Sequence, residues 1–142
     1  MAKPKKAKLS PGRSYEKRVR IPPETADQRH PLWSFRTFDN TGDWCWSTIS
    51  ISDAMSIMQR LKDYESMTWA SIKRASHCHY IEPFSIIPEA QERLRKLKRF
   101  QTNALFSMSV GSKPRLWGIL EDHVAFLLWW DPKHEIYPSR PK

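Results

Sequence analysis

The stretch 103–142, NALFSMSVGSKPRLWGILEDHVAFLLWWDPKHEIYPSRPK, constrains the fold more than any other part of the chain. It holds three short apolar runs, 104–110, 115–120 and 124–130, separated by Gly-Ser-Lys-Pro and Glu-Asp-His and followed by Asp-Pro. Runs of this length, rich in β-branched and aromatic residues and bounded by turn formers, read as strands. The linkers between them are short enough for hairpins, so the expected unit is a three-stranded antiparallel meander. Strand parity places Arg115, Trp117 and Ile119 on one face and Leu116, Gly118 and Leu120 on the other. Gly118 inside a strand marks a bulge or a close backbone approach. Pairing across the 121–123 turn brings Arg115 beside the exit carrying Lys133, His134 and Tyr137. The same pairing sends Glu121 and His123 to the opposite end.

The preceding chain supplies elements that can cover such a sheet. Residues 32–39 (LWSFRTFD) alternate and read as an early strand, ended by Asn40-Thr41-Gly42-Asp43. Trp44-Cys45-Trp46 reads as an aromatic lid on the core, with base stacking as the alternative. Ser50 and Asp53 form a helix start, and Ile51, Ala54, Met55, Met58 and Leu61 then recur at helical spacing, giving an apolar face to a helix reaching about residue 64. A short helix begins near Trp69, with Ser66 or Thr68 as its cap. Pro88 opens a further helix whose apolar stripe is Ala90, Leu94 and Leu97. Its acids, Glu89 and Glu92, lie at the start and its cations, Arg93 to Arg99, at the end, as the helix dipole favours. This order has no alternating βα rhythm. The expectation is α+β: an early strand, a helical hairpin with an extra short helix, then the meander, with the helices on one face of the sheet.

Charge and cysteine content narrow the partners. The formal charge is +9, and residues 1–20 carry eight of the 24 Lys and Arg against one acid. With four prolines in its first 23 residues, 1–30 reads as a disordered basic arm preceding a single domain over 31–142. A positive field favours RNA and other polyanions, and Arg93, Lys96, Arg99 and Arg140 are the candidate phosphate contacts outside the arm. Two cysteines, Cys45 and Cys78, give no disulfide framework. No run is apolar enough to span a bilayer and no signal-peptide core follows the N-terminus, so a cytoplasmic protein without membrane contact is expected. His77-Cys78-His79 is the one metal-like cluster, but neighbouring side chains diverge, so it reads as a loop with exposed histidines, and no metal or other cofactor is expected. With four glycines in the chain, a phosphate-cradling glycine loop is not expected.

The closing meander resembles that of the RelE/ParE toxin superfamily. In RelE-type ribonucleases an arginine opens the third strand, a basic or histidine residue follows the fourth, and a tyrosine lies a few residues on. Arg115, the Lys133–His134 pair and Tyr137 match in order and approximate spacing. The chain departs from the family in its long basic arm, its longer helical region and the Trp129-Trp130-Asp131-Pro132 strand end. The resemblance implies a toxin that cleaves mRNA, ribosome-bound mRNA included, and is neutralised by a cognate antitoxin. Catalysis would be metal-independent acid–base chemistry by Arg115, Lys133, His134 and Tyr137. Two other readings use the same residues differently: a non-catalytic nucleic-acid-binding module, and a ParE-like toxin that acts by binding a protein.

Overall fold

The computed structural model describes residues 25–138 apart from Ser76, Gln101 and Asn103. Most of the expected arm, residues 1–24, and Arg140 therefore lie outside the described residues. Ordered contacts begin ahead of residue 31. A 3-10 turn at Ala26–Gln28 is tied to the body by an ion pair from Lys73 Nζ to Asp27 (2.6 Å), and the Trp69 N–H donates to the Arg29 carbonyl (3.0 Å).

The fold is α+β, but the sheet is larger than the expected meander. Among the described residues five strands lie in the order β1-β5-β4-β3-β2. They are β1 (Leu32–Ser34), β2 (His79–Ile81), β3 (Leu105–Ser109), β4 (Arg115–Glu121) and β5 (Val124–Asp131). The β3-β4-β5 meander is the antiparallel centre, β2 extends it antiparallel to β3, and β1 runs parallel to β5, making the sheet mixed. The expected strand 32–39 keeps ladder pairing only through Ser34. Beyond it the chain bonds to β5 irregularly: the Asp39 N–H donates to the Leu128 carbonyl (2.9 Å) and the Thr37 hydroxyl to the Leu127 carbonyl (3.2 Å).

The irregularity has a cause in β5. Trp117 opposes Trp129 while Gly118 opposes Leu127, so Leu128 is an extra, unpaired residue. Bulges of this kind turn two successive side chains toward one face, and Leu128 and Trp129 do share one core. A Cβ on Gly118 would lie 2.9 Å from the Phe126 carbonyl oxygen, so the glycine serves both a bulge and a close approach.

Helices cover both faces of the sheet, which corrects the expectation of one. On one face pack α1 (Ile51–Glu65) and α2 (Trp69–Arg74), through Ile57, Leu61, Tyr64, Trp69 and Ile72 against Phe106, Met108, Leu116 and Trp130. On the other packs α3 (Pro88–Lys96), through Ala90 and Leu94 against Leu105, Trp117, Leu128 and Trp129. Strand β2, unforeseen in the sequence, separates the helices. After α1 and α2 the chain enters the sheet at the edge opposite β1, and α3 then lies on the opposite face.

Local signals operate as the residue types dictate. Ser50 Oγ accepts from the Asp53 N–H (3.0 Å), Thr68 caps α2 by accepting from the Ser71 N–H, and Pro88 stands at the start of α3. The apolar face of α1 is the expected one only in part, with Leu61 buried and Ala54 half-buried. Ile57, Leu61 and Tyr64 are buried, whereas Ile51, Met55 and Met58 are exposed. Within the aromatic lid, Trp44 and Cys45 are buried and Trp46 is half-exposed, stacked on Phe38.

Candidate active site

Antiparallel register carries Arg115 to the exit of β5. Arg115 is paired with Asp131, and the Asp122–His123 turn lies at the far end of the hairpin. At the Arg115 end a cavity of about 230 Å³ opens on the α3 face. Its floor is Ser107 of β3 and Arg115 of β4; one wall is His77, His79 and Ile81, and the other is His134, Tyr137 and Pro138. Arg115, His134 and Tyr137 are thus brought together. Lys133 is exposed and stands outside the lining.

The exit segment is anchored rather than a loose tail. Asp131, fully buried, accepts from the Glu135 N–H (2.9 Å), the Ile136 N–H (3.0 Å) and Trp117 Nε1 (3.3 Å). Burial pushes its carboxyl above the usual range despite these three donors. Ile136 is buried and its carbonyl accepts from the Ile87 N–H (3.0 Å), while Glu135 accepts from Trp44 Nε1 (2.9 Å). Between these anchors His134 adopts a left-handed backbone (φ 56°), a conformation uncommon for a residue with a side chain. Backbone geometry and anchors together set the position of its imidazole.

Arg115 is buried, and its described side-chain hydrogen bonds all run through Nη1, which donates to the turn carbonyls of Pro114 (3.0 Å) and Lys113 (3.1 Å) and more weakly to Gly111 and Ser112. Among the described residues it forms no ion pair, neither with Asp131 nor with Glu135. The turn holds one end of the guanidinium while the residue lines the cavity. Burial lowers the His134 pKa, the Arg115 charge and that of Lys113 lower it further, and Asp131 opposes them. The net result is an imidazole neutral at neutral pH. Lys113, on the β3–β4 turn, makes the smallest of these contributions at His134.

The sequence predicts a loop at His77-Cys78-His79. His79 instead belongs to edge strand β2, opposite Ser107. Period-two alternation turns His77 and His79 to the cavity and Cys78 to the other core, where its Sγ lies 3.4 Å from the Tyr64 hydroxyl. The adjacent trio therefore cannot ligate one ion. Among the described residues no group of three or more His, Cys, Asp or Glu is arranged to hold a metal. The signal in the sequence was the H-x-H spacing itself, which on a strand means one face.

The candidate phosphate contacts divide. Arg93 is engaged inside the fold: Nε and Nη2 donate to Asp39 at 2.8 and 2.6 Å, and Nη2 also to Thr41 (2.9 Å). Lys96 is exposed on α3, and Arg99 lines a different cavity at the other end of β4. Among the described residues no helix is long and apolar enough to cross a membrane. No protein-family model, curated protein or solved structure matches the chain.

Proposed function

We propose that the chain is a RelE-like toxin that cleaves RNA, mRNA on ribosomes included, by metal-independent acid–base chemistry, and that a cognate antitoxin neutralises it. The observation that carries this reading is the single cavity lined by Arg115, His134 and Tyr137 with two further imidazoles, His77 and His79. His134, held neutral, takes the proton of a ribose 2′-hydroxyl. The 2′-oxygen bonds to the adjacent phosphorus, the bond to the 5′-oxygen breaks, and the Tyr137 hydroxyl supplies the leaving oxygen's proton. Arg115 stabilises the charge that grows on the phosphoryl oxygens, and His77 and His79 offer ring N–H donors from the opposite wall. The products are a 2′,3′-cyclic phosphate and a 5′-hydroxyl.

Cleavage of a labelled RNA, with and without ribosomes, tests the reading. His134→Ala and Tyr137→Phe should each lower the rate about 10²–10⁴-fold. Arg115→Lys keeps the charge but loses the fork, and should cost up to about 10²–10³-fold. Equal rates in all three variants would remove the site assignment. No product from any RNA would remove the enzyme and leave the nucleic-acid-binding module as the reading.

A further inference from the structure

The cavity at the opposite end of β4 takes no part in that chemistry. It encloses about 430 Å³ on the same face of the sheet, over a floor of Ile119 and Phe126. Six residue steps of strand separate Arg115 from Glu121 at its rim, roughly 20 Å. Three cations line it: Arg36 from the loop after β1, and Lys98 and Arg99 from the segment after α3. We propose that this cavity binds the phosphate of a nucleotide-class ligand through Arg36, Lys98 and Arg99, with the ligand's ring over Phe126 and Ile119 and its sugar hydroxyls toward Glu121.

Convergence is the first support. A charge run on one helix is ordinarily a solvated face, but here cations far apart in sequence meet at one concavity. Its size lies in the range of small-ligand pockets. The second is the absence of internal neutralisation. Arg29, Lys73, Arg93 and Arg95 each have a carboxylate within ion-pair distance; among the described residues Arg36, Lys98 and Arg99 have none, although Glu121 lines the same cavity. Cations gathered at one concavity repel one another; Glu121 offsets one of the three charges, and a bound anion relieves the rest.

The third support is conformational. The Arg99 N–H donates to the Leu94 carbonyl and the Lys98 N–H to the Arg95 carbonyl, both at 2.9 Å. This is the Schellman pattern that ends a helix, and its left-handed position is usually glycine. Here it is Lys98, at φ 61°. A side chain stands where glycine would relieve strain, and that side chain lines the cavity.

The test uses the full-length chain and adenosine monophosphate as probe, titrated at low salt. Wild type should bind, and the double variant Arg36→Gln/Arg99→Gln should bind at least tenfold more weakly. Lys98→Gly should lower affinity several-fold while raising the melting temperature, a pairing that a merely structural role for Lys98 does not produce. Lys62→Gln, an exposed cation on α1, should change neither. A short single-stranded oligodeoxynucleotide, which has no 2′-hydroxyl and so cannot be cleaved at the Arg115 site, separates the sources of the phosphate: tighter binding than the mononucleotide assigns a strand, weaker binding a free nucleotide. No binding of either probe by wild type, or undiminished binding by the double variant, overturns the proposal.

Discussion

Indole N–H groups determine where several of the acids sit. Trp44, Trp117, Trp129 and Trp130 are buried, and their Nε1 atoms donate to Glu135 (2.9 Å), Asp131 (3.3 Å), Asp39 (3.0 Å) and Asp53 (3.3 Å). A buried indole without an acceptor costs about 1–3 kcal/mol, so these carboxylates are structural, and two of them, Asp39 and Asp131, are themselves buried. Asp53 also accepts from the Ser50 N–H in the α1 cap, so one carboxylate joins a helix start to β5. Gly118 is the complementary case, a residue chosen for what it lacks. Gly118→Ala places a methyl 2.9 Å from the Phe126 carbonyl oxygen, a backbone atom fixed by the bulge. Urea unfolding should show a loss of roughly 1–3 kcal/mol, the usual range for overpacking. An unchanged midpoint would mean that the bulge yields.

At the scale of elements, α1 separates what periodicity can and cannot reveal. Its apolar residues form two adjoining ridges, Ile51, Met55 and Met58 beside Ile57, Leu61 and Tyr64. Either satisfies helical spacing, and the sheet buries only the second. Met55→Gln and Met58→Gln should therefore change unfolding free energy by less than about 0.5 kcal/mol, whereas Ile57→Ala or Leu61→Ala should cost about 2–5 kcal/mol. Equal losses from both ridges would mean that the exposed one is covered in solution. The same distinction explains the rest of the chain. The β4–β5 hairpin and its register were legible because turn chemistry and apolar runs are local, and with them the meeting of Arg115, His134 and Tyr137. Strand β2 was not legible: three residues, His79–Ile81, gain strand geometry only by pairing with β3. His77 and His79 were missed with it. The face taken by α3 was hidden for a similar reason, since Ala90 and Leu94 suit either side of a sheet and the path of the chain through β2 decides. Arg93 looked like a free cation because its partner, Asp39, lies far upstream.

For the molecule as a whole, Asp39 ties distant segments together. Its carboxylate accepts from Arg93, Trp129 and the Thr41 and Gly42 N–H groups, linking the loop after β1, α3 and β5. Burial alone would raise its pKa, but these donors together outweigh burial and hold it at about 2, against an ordinary 3.8. A carboxyl depressed in the fold stabilises above its unfolded value and loses that contribution as pH falls toward the folded one. The contribution is on the order of 2 kcal/mol, present at neutral pH and lost between about pH 4 and pH 2. Asp131 acts with the opposite sign: burial raises its pKa, so protonation on mild acidification favours the folded state. Rising positive charge destabilises the whole chain in acid as well. A raw acid-denaturation curve mixes all three effects, but comparison of wild type with Asp39→Asn cancels the last two. The stability difference between them should be largest near neutrality and shrink by on the order of 2 kcal/mol as the pH is lowered from about 4 to about 2. Urea titrations at several pH values would measure it. A difference that stays constant over that range would mean that the Asp39 charge contributes nothing net and that its hydrogen bonds alone hold the loop, α3 and β5 in place.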